Sequence, residues 1–121
     1  MTEPIFHITT APEWQAALDA GAYTVASLVD EGFIHTSTGE QTPATAARFY
    51  ADVPDLVLLV IDPNAVSAEI RWEEAHVGEL FPHIYGPLNL DAVVAIVAFA
   101  PEADGTYRLP DGIPNTLPDR A

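Results

Sequence analysis

The chain has 121 residues, which fits one domain, and its hydrophobic content of 49% is sufficient for one core. Its 18 acidic residues against 4 arginines and no lysine give a formal net charge of −14, a balance that repels phosphate backbones and anionic membranes, so we expect neither nucleic-acid nor membrane partners. Cysteine is absent, which excludes disulfides, thiol nucleophiles and zinc–thiolate sites.

No membrane-spanning run or secretion signal is apparent. The longest apolar runs are strand-sized, and the first residues lack a basic region followed by an apolar stretch. We therefore expect a cytoplasmic protein.

The N-terminal segment predicts a strand. Alternation over Ile5–Thr9 places His7 and Thr9 on one face of this strand, opposite Phe6 and Ile8.

A capping box over residues 10–13, with proline in the first turn, predicts a helix that ends before Gly21. Residues at i, i+3 and i+4 form its expected core face: Trp14, Ala17 and Leu18. The next stretch, residues 23–28, fits either a short strand or an extended loop.

Residues 32–37 predict a strand that begins at a glycine turn. Alternation turns Phe33, His35 and Ser37 to one face and Ile34 and Thr36 to the other. The imidazole of His35 and the hydroxyl of Ser37 are then separated by about two residues' rise, roughly 7 Å.

This spacing between a histidine and a hydroxyl residue occurs three times. The pairs are His7 with Thr9, His35 with Ser37, and His83 with Tyr85. The recurrence suggests that the three segments contribute to one site.

The middle of the chain predicts a second helix and a central strand. The helix starts at Thr42-Pro43, runs to about Ala51 and carries Arg48 as its one positive charge. The apolar run Leu56–Ile61 is typical of a strand that is buried on both faces.

The remaining elements are short and interrupted by proline and glycine. Residues 70–72 predict a short strand, the acidic residues 73–79 a loop, and 81–87 an extended segment with two prolines. A short edge strand over 88–90 and an apolar strand over 92–100 follow. Residues 1–100 therefore form one expected domain, and 101–121 a proline-rich C-terminal arm that is surface-packed or partly disordered.

Strands and helices mix without regular βαβ alternation, which favours an α+β class with mainly antiparallel strands. Three motifs sharpen this expectation: Phe-His-Ile-Thr at 6–9, Gly-Phe-Ile-His-Thr-Ser at 32–37 and Leu-Phe-Pro-His-Ile-Tyr-Gly at 80–86. Together they resemble the uncharacterised bacterial family catalogued as domain of unknown function 952, and the resemblance covers the chain to about Phe99.

A second, more distant resemblance is to RNA 2′-phosphotransferases and the wider ADP-ribosyltransferase superfamily. It covers Phe33–Ser37, the alanine-rich helix and Leu56–Asp62, in that order. His35 matches the second histidine of a His-x-His-x-Ser motif, with Phe33 in place of the first. His7 matches the histidine of a first-strand His-Gly-Thr segment, with isoleucine in place of the glycine.

This resemblance implies two small sheets around a cleft, with two or more helices, and NAD or an ADP-ribose-linked small molecule as ligand or substrate. His7 and Thr9 would hold a ribose, while His35 and Tyr85 would orient the nicotinamide side or the leaving group. His83 would complete the catalytic set.

Other residues have two interpretations each. Arg48 is a candidate anion clamp, although a surface ion pair is the more common state for such an arginine. Trp72 is either a core residue or a stacking platform at a strand end. The acidic residues Glu73 and Glu74 are interpreted as a solvated face.

Two alternatives to a transferase stay open. One is a non-enzymatic scaffold or sensor that retains the fold, since only Arg48 and Arg71 lie in the matched region and no glutamate takes the superfamily position. The other is a metal site formed by His7, His35 and His83, although none of the usual local ligand spacings is present and we assign no metal ligands. The oligomeric state is not defined by the sequence.

Overall fold

The computed structural model describes residues 2–118. Its strands are β1 (Ile5–Thr10), β2 (Ala22–Tyr23), β3 (Ile34–His35), β4 (Leu56–Ile61), β5 (Glu69–His76), β6 (Glu79–Tyr85), β7 (Leu88–Asn89) and β8 (Val93–Ala98). Its helices are α1 (Ala11–Ala20), α2 (Ala26–Asp30) and α3 (Thr42–Phe49). No helix of the described residues is long and apolar enough to cross a membrane.

The strands form three antiparallel sheets, in the orders β1-β4-β8, β2-β7 and β3-β6-β5. The α+β class with antiparallel strands is confirmed. Two sheets are expected from the resemblance, whereas the structure has three, because β2 and β7 form a small sheet of their own. β4 is central in its sheet, as its apolar run predicts, and residues 58–61 have no exposed surface.

Two apolar clusters form the core, one on each face of the β1–β4 sheet. The first includes Ile5, Tyr23, Ile34, Leu59 and Ile84. The second is built from residues of β1, β4, α3 and the C-terminal segment: Phe6, Ile8, Ala46, Leu58, Val60, Phe99 and Tyr107. The alternation predicted for β1 therefore splits the strand between the two clusters.

The first helix follows its capping signals. Thr10 Oγ1 accepts a hydrogen bond from the Glu13 amide at 3.3 Å, and Gly21 closes the helix with φ +88°. Ala17 is buried, but Leu18 is 48% exposed, so its expected core position is wrong. The stretch after the helix contains both β2 and the short helix α2.

The largest error concerns the acidic stretch 73–79. Instead of forming a loop, it continues β5 to His76 and begins β6 at Glu79, with a hairpin turn at Gly78, φ +81°. Antiparallel pairing with β6 supplies the hydrogen bonds of this polar strand, so its composition did not reveal the structure. In contrast, the predicted strand 32–37 forms ladder pairs only at Ile34 and His35, with a separate bridge from Ser37 to Phe6.

Residues 101–118 of the predicted arm contain no helix or strand, and Tyr107 and Leu117 are buried. Leu117 pairs with Thr2 through backbone hydrogen bonds. The last residues of the predicted arm, 119–121, lie outside the described part of the chain.

Candidate functional site

The outer face of the β3-β6-β5 sheet gathers several chemically active side chains. Ile34 and Ile84 point into the core, with no exposed surface, so their neighbours along the strands point outward. The register pairs His35 with His83 and Arg71 with His83 across the sheet. Tyr85 and Glu73 lie two residues beyond His83 and Arg71 on the same face.

Glu73 connects His83 and Tyr85. Its Oε1 accepts hydrogen bonds from His83 Nδ1 at 2.9 Å and from the Tyr85 hydroxyl at 2.5 Å. Hydrogen bonds from Tyr85 and His83 lower the pKa of Glu73, and the bond to Glu73 raises the pKa of Tyr85. A charged carboxylate can only accept, so Nδ1 of His83 carries a proton.

The other ring nitrogen of His83, Nε2, is buried and has no hydrogen-bond partner among the described residues. The His83 side chain is only 4% exposed. A buried polar atom without a partner costs about 1–3 kcal/mol, so such atoms are rare unless they have a function. In the neutral form of an imidazole that is protonated on Nδ1, Nε2 holds a free lone pair.

Aromatic packing holds the His83 ring in place. Phe33 stacks on it at 4.1 Å between centroids and 13° between planes, and Tyr85 lies 5.2 Å from Phe33. The Arg71 guanidinium covers the Tyr85 ring at 4.3 Å. His35 meets His83 edge to face at 5.3 Å.

His35 is more accessible than His83. Its side chain is 48% exposed, and its Nε2 lies 2.8 Å from Oε2 of Glu31, four residues earlier in the sequence. The structure therefore brings His35, His83 and Tyr85 together, each with a carboxylate partner.

His7 and Thr9 lie elsewhere, in the core. His7 Nδ1 donates to the His35 backbone carbonyl at 2.5 Å, and the Tyr23 hydroxyl lies 2.8 Å from Nε2 and 2.9 Å from Thr9 Oγ1. Burial lowers the pKa of His7 from 6.5 to about 4, so the ring is neutral at pH 7. The expectation that His7 and Thr9 line the same cleft as His35 is wrong, because both side chains are occupied by core contacts.

A groove of ≈ 380 Å³ lies between α3 and the strands that carry His35 and His83. Aromatic, hydroxyl and basic side chains line it together with parts of the β5–β6 hairpin: His35, Thr36, Ser37, Thr45, Arg48, Phe49, Tyr50, Ala75, His76, Phe81 and His83. Ser37 Oγ and Thr45 Oγ1 lie 3.2 Å apart on its wall.

Arg48 is the one arginine of this groove. It forms no ion pair with any residue from 2 to 118, and its guanidinium lies 5.8 Å from the Phe49 ring centroid. The sequence favours a surface ion pair for Arg48, and the described residues provide none. The other described arginines, Arg71 and Arg108, are paired with glutamates.

Trp72 lies away from this groove. It is 52% exposed, so its expected core position is wrong, and it borders a second, larger groove beside the C-terminal segment. Trp72 therefore does not share a pocket with His35 and His83.

The three-histidine metal site is not formed by the described residues. Both ring nitrogens of His7 are engaged within the core, and no group of three potential metal ligands comes together in residues 2–118.

Sequence reasoning missed two residues of the site, Glu73 and Phe33. The acidic composition of residues 73–79 predicts a loop, in which Glu73 would be solvated. Had that segment been predicted as a strand, the spacing of Arg71 and Glu73 would have placed both on one face.

Comparisons with known proteins give a family and a fold. The crystal structure of protein CC0527 from Caulobacter crescentus is similar, with a TM-score of 0.79 and 34% identity over 87% of this chain and 93% of that one. The solution NMR structure of CC0527 has a TM-score of 0.77 at 34% identity, over 91% and 96% of the two chains. No curated protein matches the chain.

The sequence comparison agrees with the motifs that carry the histidines. The family described as "Protein of unknown function (DUF952)" matches residues 8–96, which is well over half of the chain. The match includes His35, His83, Glu73 and Arg48. The chain therefore belongs to the DUF952 family.

Proposed function

We propose that the groove beside α3 binds a small ribose-containing phosphate ester of the NAD or ADP-ribose type, on a fold of the ADP-ribosyltransferase kind. The observation that carries this proposal is the unpaired Arg48 on the groove wall. In a chain with 18 acidic residues, a guanidinium that faces a groove without a carboxylate partner among the described residues is available for an anion.

The other lining groups fit the rest of such a ligand. A guanidinium can hold a phosphate through two parallel hydrogen bonds. The hydroxyls of Ser37 and Thr45 can bind polar ribose or amide groups, and the rings of Phe49 and Phe81 offer surface for a base. The groove volume of ≈ 380 Å³ lies within the usual range of about 300–1,000 Å³ for small-molecule sites.

The proposal gives His7 a different role from the one expected. Its Nδ1 holds the His35 carbonyl, so it positions β3 from the core side instead of touching the ribose. His35 and His83, which line the groove, keep their proposed roles near the reacting end of the ligand. Tyr85 does not line the groove, and its hydroxyl donates to Glu73 instead of orienting the ligand. Trp72 is not part of this site.

Calorimetric titration with NAD, ADP-ribose and nicotinamide tests the proposal. We expect Arg48→Met to weaken binding of NAD and ADP-ribose at least tenfold while leaving nicotinamide unaffected, because only the first two carry phosphates. Arg108→Met is the matched control, since Arg108 is exposed, paired with Glu102 and absent from this groove. Absence of binding at millimolar ligand would refute the proposal and favour the scaffold or sensor alternative.

A further inference from the structure

The Glu73–His83 contact has a chemical consequence for the same groove. Glu73 accepts from Nδ1, which fixes the neutral ring of His83 in the tautomer whose Nε2 is a proton acceptor. Phe33 stacks on the ring face and leaves the lone pair, which lies in the ring plane, uncovered by that contact. The acceptor is thus held in a fixed orientation.

No group in residues 2–118 donates a hydrogen bond to His83 Nε2. Nε2 is buried with no partner, although the side chain lines the groove. The His35 ring, which meets the His83 ring edge to face at 5.3 Å, is 48% exposed and lines the same groove. A ligand group or water that enters there would meet an oriented base.

We propose that Glu73 and His83 form a general-base pair that hydrolyses the nicotinamide–ribose bond of a bound NAD-type ligand; this rests on the proposed function. His83 is the catalytic residue, since its Nε2 takes a proton from the attacking water. Glu73 is a positioning residue that fixes the tautomer and stabilises the imidazolium that forms. Tyr85 donates to the same carboxylate oxygen and holds it in place.

The step balances without a further reactant. The water oxygen bonds to the ribose carbon that carries nicotinamide, and the water proton moves to His83 Nε2. The carbon–nitrogen bond breaks, and its electron pair goes to the ring nitrogen, so that the cationic pyridinium leaves as neutral nicotinamide. His83 then releases its proton to solvent, and the products are ADP-ribose, nicotinamide and one proton.

This reaction suits a site with a single free acceptor. Nicotinamide leaves as a neutral molecule and needs no general acid, whereas the water nucleophile must lose a proton. One oriented base therefore supplies the proton transfer that the reaction needs, and general-base catalysis typically contributes about 10²–10⁴-fold.

Nicotinamide release from NAD, measured by chromatography, tests the inference with the full chain. We expect His83→Gln to lower kcat at least about 100-fold. We expect Glu73→Gln to lower kcat at least tenfold with KM unchanged, because Gln can still accept from Nδ1 but carries no charge to stabilise the imidazolium. Glu74→Gln is the control, since Glu74 is the adjacent exposed residue and its carboxylate accepts from the Gly78 amide in the hairpin turn. It should leave both constants unchanged.

A spectroscopic measurement separates positioning from folding. ¹⁵N NMR of the histidine rings should show His83 protonated on Nδ1 in the wild type and in Glu73→Gln. Glu73→Ala should lose this fixed tautomer while His7 keeps its own.

The failures are distinguishable. Calorimetric binding of NAD without nicotinamide release would overturn the general-base inference and leave the binding proposal intact. Absence of NAD binding would refute both the binding proposal and the general-base inference. A wild-type His83 protonated on Nε2 would overturn the inference whatever the ligand.

Discussion

Tyr23→Phe is the sharpest test of the buried network that supports the site. The substitution removes one hydroxyl from a ring with no exposed surface. It leaves His7 Nε2 and Thr9 Oγ1 without their partner at 2.8 Å and 2.9 Å, while the ring still fills its place in the core.

The expected cost follows from the two orphaned atoms. Each buried polar group that loses its partner costs about 1–3 kcal/mol, and the Thr9 hydroxyl can rotate to recover part of its share, so we expect a loss of roughly 2–4 kcal/mol. At about 4 °C per kcal/mol for a chain of this length, Tm falls by about 8–16 °C.

Urea unfolding at pH 7, followed by circular dichroism, measures the change as a shift in midpoint with an unchanged slope. Tyr107→Phe is the matched control: the same atom is removed from a buried ring whose hydroxyl donates one long bond of 3.3 Å to the Tyr50 carbonyl. That control should lose less than about 1 kcal/mol. Equal losses in the two variants would refute the network as a source of stability.

Three further predictions are independent of this one. Burial lowers the pKa of His7 from 6.5 to about 4, so as pH falls His7 is protonated in the unfolded chain before it is protonated in the folded one. The free energy of unfolding should therefore drop by about 2 kcal/mol from pH 7 to pH 5, and His7→Asn should not show this His7-dependent drop. Gly86→Ala places a Cβ 2.9 Å from the Ala68 Cβ and should cost about 1–3 kcal/mol in urea unfolding, whereas adding Ala68→Gly should restore much of it; no recovery would contradict the proposed clash. Fluorescence anisotropy with 2′-phosphorylated RNA at low salt should show no micromolar binding, since the net charge of −14 opposes a polyanion.

The parts of the fold that could be predicted are those set by local signals. The capping box at Thr10 and Glu13 fixed the start of α1, and the apolar run of β4 identified a central strand. Each of these signals acts within a few residues, so the rest of the chain does not alter it.

The parts that could not be predicted depend on partners distant in sequence. β5 continues through polar residues up to His76 because β6 pairs with it, and that pairing also turns Glu73 toward His83. The choice between core and site for His7 depended on Tyr23, which is 16 residues away and belongs to a strand of two residues.

The recurring histidine–hydroxyl spacing shows how one pattern acquires different meanings. Two-residue spacing places each pair on one face of a strand, and the side chain opposite then decides its chemistry. Tyr23 bridges His7 and Thr9 with a neutral hydroxyl in the core, where burial keeps the ring uncharged.

Glu73 bridges His83 and Tyr85 with a carboxylate instead, and of these three residues His83 lines the groove. A carboxylate stabilises the protonated imidazole, which a hydroxyl does much less effectively. The His83 pair is therefore the one suited to accept a proton and release it again, whereas the His7 pair is suited to remain neutral and hold the strand that carries His35.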